Sequence, residues 1–166
     1  MKIVLFQPQI PQNTGNIART SAVTGSSLIL IRPLGFSTHS RHLKRAGLDY
    51  WEEADVKEAD DLPSLLEKEA SFFFFSSKAS RVYTTAPYRD DSLLIFGSET
   101  TGLPPYFFNQ WPDRFYKIPM VEDVRCLNLA SSVAVVLYEA LRQTRYFERP
   151  INVKRMLAKA DVVSGT

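Results

Sequence analysis

The sequence predicts an α/β domain in which a mostly parallel sheet carries helices on both faces. Three observations lead there. KIVLF at residues 2 to 6 and SSLILIRP from Ser26 are strand-like and apolar, and between them Ile17, Ala18, Ser21 and Ala22 repeat at helical spacing. Two more short apolar runs, Phe72 to Phe75 and Leu93 to Phe96, suit strands covered on both faces. A broad dry stripe then fills a helix from Leu129 to Leu141, made of Leu129, Val133, Val136 and Ala140 together with Ala130, Ala134, Leu137 and Leu141.

Taken in order, the prolines of QPQIPQNTG stop the first strand, and a helix is expected to start near Thr14 and end at Gly25. Strand, helix and strand in succession favour a parallel pairing. Gly35 to Trp51 is basic and turn-rich, with a short helix at His39 to Ala46. A helix near Leu62 to Ala70 leads into Phe72 to Phe75. After Leu93 to Phe96 the polar turn from Gly97 to Pro105 precedes a short helix, and Phe115 to Pro119 returns as the last strand. Arg125, Asn128, Ser131 and Ser132 then gather at the start of the long helix. Free backbone N–H groups and the helix dipole favour polar or anionic ligands there, and ordinary capping accounts for the same residue types.

At 166 residues the chain is long enough for one sizeable core. Residues 1–150 are expected to form a single domain, with 151–166 a loosely patterned C-terminal tail. Apolar residues make up 45% and charged ones 23%, far from the disordered range. No apolar run approaches a membrane span and no signal segment opens the sequence, so a cytoplasmic setting is expected. The single cysteine, Cys126, excludes an internal disulfide and a cysteine-rich zinc site.

Net charge is only +2, but its distribution is blocked. Arg32, Arg41, Lys44 and Arg45 precede Asp49, Glu52, Glu53, Asp55, Glu58, Asp60 and Asp61, and a second basic region runs from Arg142 to Lys159. Solvated faces or a polyanion partner are both consistent with this.

Common cofactor motifs are missing: no G-x-G-x-x-G follows the first strand, and no G-x-x-x-x-G-K-[ST] occurs. His39 and His42 share a helix face without a third ligand nearby, so no metal is expected. Cys126 has no histidine in the neighbouring motifs to activate it, which favours a packed residue over a nucleophile.

What remains is three turns at the carboxyl ends of strands: PQNTGNIAR, FGSETTGLP and IPMVEDVRCLNL. Ligands of open α/β sheets bind outside those ends, so the three should converge. In order and residue type they resemble the three motifs of the SPOUT superfamily of RNA methyltransferases. Within it, NTGNIAR, LIRPLGFS and KRAGLDYW look like the TrmL/YibK group of tRNA 2′-O-methyltransferases acting on the wobble nucleotide. The resemblance covers roughly residues 1–147. Two positions depart from it: Phe75 stands where a smaller apolar residue is common, and Cys126 where serine is usual.

The resemblance implies a deep C-terminal trefoil knot, S-adenosylmethionine as methyl donor, tRNA as substrate and a homodimer packed through the helices of the first and third motifs. Cofactor-binding positions carried over are Phe75, Gly97, Glu99, Gly102, Ile118 and Cys126, with Glu99 and Gly102 shaping the loop. Arg19 is the implied catalytic residue. Because guanidinium stays protonated, the physical expectation is that it orients substrate and stabilises a developing alkoxide, leaving the proton to a phosphate or water. Asn13, Asn16, Arg125, Asn128 and Tyr138 are candidates for RNA contact or site support. The resemblance also implies that relatives acting on other tRNA or rRNA sites usually carry an added N-terminal RNA-binding domain, which is not expected here. Those other RNA targets, and a catalytically inactive RNA-binding or nucleotide-binding protein, stay open as alternatives.

Overall fold

The computed structural model describes residues 1–38, 50–51, 53–121 and 126–148. Its frame is a seven-stranded sheet in the order β3-β2-β1-β6-β4-β7-β5, every pairing parallel. The strands are β1 (Lys2–Phe6), β2 (Ser27–Ile31), β3 (Asp55–Ala59), β4 (Phe72–Phe75), β5 (Arg81–Val82), β6 (Leu93–Phe96) and β7 (Phe115–Lys117). The α-helices lying wholly within the described residues are α1 (Pro11–Thr24), α2 (Leu62–Leu66), α3 (Pro105–Gln110) and α4 (Leu129–Gln143). The α/β class with helices on both faces is therefore observed.

Period-two alternation divides the core. Ile3, Leu5, Phe73, Phe75, Leu94 and Phe96 point to the face covered by α1 and α4, where Ile17, Val133, Val136 and Leu137 meet them. Val4, Phe6, Phe72, Phe74, Leu93 and Ile95 point to the other face, against Leu62 and Leu66 of α2 and Phe107 of α3. The four successive phenylalanines thus serve both cores. Phe74 stacks on Phe115 with ring centroids 4.6 Å apart, and Phe75 on Phe96 at 4.9 Å.

Several expected boundaries shift. Helix α1 begins at Pro11, three residues before Thr14, because proline lacks an N–H that the first helical position would leave unpaired anyway. Its end is as expected: Gly25, at φ +67°, takes the left-handed cap and donates to the Ala22 carbonyl. Helix α2 stops at Leu66 instead of running to Ala70, and Asp61 caps it through the Ser64 N–H at 2.8 Å. The last strand closes at Lys117, two residues before Pro119.

Two strands had no sequence counterpart. β3, DVKEA, is a largely exposed edge strand with no apolar run, and β5 has only two residues. The charge blocks also meet: Arg32 bonds Glu58 and Asp60, at 2.8 and 2.9 Å, so it is not part of a separate basic surface. The helix expected at His39 to Ala46, residue Arg125 and the tail lie outside the described residues.

Candidate active site

All seven strands run the same way, so the loops following β1, β4, β6 and β7 leave from one edge of the sheet. They enclose a cleft of about 640 Å³, within the usual size of small-ligand sites. Phe75 and Phe96 form an apolar wall, the backbone around Gly97 to Leu103 forms one side, and Ile118, Met120 and Cys126 to Leu129 form another. Asn13 contributes from α1, Ile10 from the position just before it, and Ser132 from the first turn of α4.

The loop after β6 is folded tightly on itself. The Ser98 N–H donates to the Gly102 carbonyl and the Gly102 N–H to the Ser98 carbonyl, at 3.2 and 3.0 Å, while the two hydroxyls of Ser98 and Thr101 meet at 2.7 Å. Gly97 lies where any Cβ would overlap the Gly102–Leu103 backbone. Gly102 is needed for another reason: its φ is +67° and nothing crowds it. The close approach expected at Gly97 is therefore made first by the chain itself.

Helix α1 has no capping side chain of its own at Ile10. Glu99, from another motif, braces that position and the residue before it. Its carboxylate accepts from the N–H of Gln9 at 2.8 Å, the N–H of Ile10 at 3.2 Å and Asn13 Nδ2 at 3.0 Å. Anion at a helix start is the favourable polarity. Asn13 then accepts from Asn128 Nδ2 through its own Oδ1 at 2.9 Å, and Asn128 Oδ1 accepts from the Ala130 N–H at 2.8 Å, capping α4. Because an ionised carboxylate can only accept, the Asn13 amide can face only one way, and the polarity of the whole run follows.

The structure thus brings Asn13, Phe75, Gly97, Glu99, Gly102, Ile118, Cys126 and Asn128 to one cleft. It places Arg19, Asn16 and Tyr138 elsewhere. Arg19 is exposed on α1, six residues and about 9 Å along the axis from Asn13. Asn16 and Tyr138 are exposed. Sequence reasoning missed Ser76, Ser77 and Lys78, which line the cleft directly after Phe75. The rule that ligands gather outside strand ends applied to β4 as much as to the other strands and could have found them. Among the described residues no cluster of His, Cys, Asp and Glu could hold a metal ion.

The pattern of the SpoU rRNA Methylase family matches residues 1–138. The chain belongs to that family. This SpoU-family chain is 49% identical over 151 residues, 88% of its length and 94% of the relative's, to a Bacillus subtilis (strain 168) protein provisionally named a tRNA (cytidine(34)-2'-O)-methyltransferase. It is 46% identical over 154 residues to the Photorhabdus asymbiotica protein given that name outright, covering 88% and 95% of the two chains. Among solved structures, one determined for insight into the 2-OH methylation of C/U34 on tRNA matches with a TM-score of 0.80 and 46% identity, over 86% of this chain and 94% of that one.

Proposed function

We propose that the chain transfers a methyl group from S-adenosylmethionine to the ribose 2′-hydroxyl of the wobble nucleotide, a cytidine or modified uridine, in a tRNA anticodon loop. The observation that carries this reading is the convergence of the three motif loops on one cleft, tied together through Glu99, Asn13 and Asn128, in a chain 46% identical to a tRNA (cytidine(34)-2'-O)-methyltransferase. The family description names rRNA, whereas the relatives at 46% and 49% identity are named for tRNA, and the closer resemblance decides the substrate class.

The residues present fit the cofactor. Phe75, Phe96 and Ile118 offer apolar surface for an adenine, and the backbone of the loop at Gly97 to Leu103 offers hydrogen-bonding groups beside it. Bound there, S-adenosylmethionine supplies a methyl group activated on a sulfonium. Glu99 accepts from Gln9, Ile10 and Asn13 and so holds the loops together at the wall of the cleft. Cys126 is exposed and contributes through backbone, which tolerates its replacement of the usual serine. Arg19 orients the RNA and stabilises negative charge on the 2′-oxygen as its proton leaves to a phosphate or water. Arg125, Asn16 and Tyr138 are assigned to RNA contact.

A cytoplasmic homodimer and a trefoil knot complete the reading. Val23 on α1 and Val135 and Tyr138 on α4 are exposed, an apolar surface on the same two helices that suits a second copy. A second copy also answers a geometric need, because Arg19 lies outside the cleft of its own chain. Support for the knot is that β7 sits between β4 and β5 while α4 packs back on α1.

Nucleoside mass spectrometry of tRNA from a deletion strain tests the substrate: 2′-O-methylation at position 34 should disappear and return with the gene. Unchanged wobble methylation would sink the claim. A calorimetric titration with S-adenosylmethionine separates an enzyme from an inactive protein of the same fold, and sedimentation at micromolar concentration tests the dimer.

A further inference from the structure

Among the described residues, four of the seven arginines are held by carboxylates. Arg32 is bonded to Glu58 and Asp60, Arg81 to Asp113, Arg89 to Asp91 and Arg142 to Glu139. Arg19 is held differently. Its guanidinium lies over the ring of Tyr50 with the central carbon 4.8 Å from the ring centroid, and it makes no ion pair among the described residues. Arg114, the other arginine over a ring, rests on Phe72 at the amino end of β4, the end of the sheet away from the cleft.

The difference matters chemically. A carboxylate partner cancels the charge of an arginine and consumes its N–H donors. A ring does neither: it attracts the cation through its negative face, and the five N–H groups stay free. Arg19 thereby keeps full charge and a complete fork of donors while its long side chain is restrained. Tyr50 is half-buried, and its carbonyl accepts from the N–H groups of Glu53 and Ala54, at 3.2 and 2.8 Å, which fixes the backbone behind the ring. From the other side, the Glu99 cap anchors the start of the helix that carries Arg19.

We infer that Tyr50 is a positioning residue for Arg19: its ring face holds the guanidinium, undischarged and with its donors uncommitted, for a phosphate or ribose oxygen of the RNA. This rests on the role given to Arg19 above. The ring is the property required, not the hydroxyl.

The test is a double-mutant cycle read by single-turnover methylation of tRNA at saturating cofactor, using the full chain. Tyr50→Phe and Tyr50→Trp should stay within about two-fold of the parent. Tyr50→Leu and Tyr50→Gln should each lose about two- to five-fold, the size expected of an exposed cation–π contact, with S-adenosylhomocysteine affinity and melting temperature unchanged. Combined with Arg19→Ala, Tyr50→Leu should cost nothing further. The proposal is overturned if the rate does not follow the presence of a ring, or if the Leu effect adds in full to that of Arg19→Ala, as it would for a ring that stacks on a base independently. If Arg19→Ala alone keeps the parent rate, the reading of Arg19 falls first and this inference goes with it. Loss of rate in Arg19→Ala with none in Tyr50→Leu or Tyr50→Gln removes this inference only.

Discussion

Asn13 and Asn128, 115 positions apart, share a 2.9 Å hydrogen bond that joins the first helix to the start of the last. Asn13 is buried and spends its amide N–H on Glu99 at the same time, so one side chain fastens three loops. A carboxylate in its place would face Glu99. Asn13→Asp should therefore bind S-adenosylhomocysteine more weakly than Asn13→Ala at neutral pH, although it is the closer isostere. Its stability should be lower by about 1–3 kcal/mol than that of the parent, from the unpaired buried groups. Titration calorimetry and thermal melts of the two variants decide it; equal or better binding by the Asp variant would refute the network.

The loop glycines should respond unequally. Gly97→Ala drives a methyl into the Gly102–Leu103 backbone, whereas Gly102→Ala meets no atom and costs only the left-handed conformation, about 1–2 kcal/mol. Urea unfolding should show Gly97→Ala as the more destabilised, and cofactor binding should vanish in it while persisting, weakened, in Gly102→Ala. Similar behaviour of the two would mean that the close backbone approach is not what Gly97 provides.

Arg19 lies outside the cleft, so its removal should separate binding from turnover. Arg19→Ala is expected to keep cofactor affinity within about two-fold and to lose about 100-fold or more in single-turnover rate, the scale of losing one charge-stabilising donor. Near-normal methylation at saturating tRNA would remove it from the chemistry.

Cys126 is exposed at the lip of the cleft. If backbone atoms make the contact there, Cys126→Ser should leave cofactor affinity unchanged within about two-fold, whereas a several-fold change in either direction would show that the side chain takes part.

The convergence of the loops was legible because a parallel sheet sends every carboxyl end to one edge, and strands as apolar as KIVLF and LLIF announce themselves. DVKEA does not, because an edge strand with both faces wet carries no apolar signal. Nor does the pairing of Arg19 with Tyr50, since a contact between residues in different elements leaves no periodic trace in either. Glu99 was expected to shape a loop of the cleft and it lines that cleft, but its bonds to the start of α1 were not legible, because sequence alone cannot tell a carboxylate facing a pocket from one facing a helix end.

Acid should weaken the far end of α4. Glu139 accepts from Arg142 and Gln143, and these bonds hold its carboxyl below the ordinary value of 4.5 despite partial burial. A depressed folded-state value stabilises above the unfolded value, and that contribution is lost as pH falls through the folded one. Unfolding free energy measured downward from pH 4.5 should thus drop more steeply in the parent than in Glu139→Gln; parallel curves would show that the pair contributes nothing.

The cap that Glu99 lends to α1 spans 89 positions to Ile10, and this has a consequence for how the chain is made. A helix capped from within has its anchor beside it in the sequence. Here the anion that holds the two residues ahead of the helix arrives only after β2, β3, β4, β5 and β6, so that anchor cannot form until more than half of the polypeptide exists. The anchor and the cleft beside it thus rest on contacts of high sequence separation, the kind that form slowly.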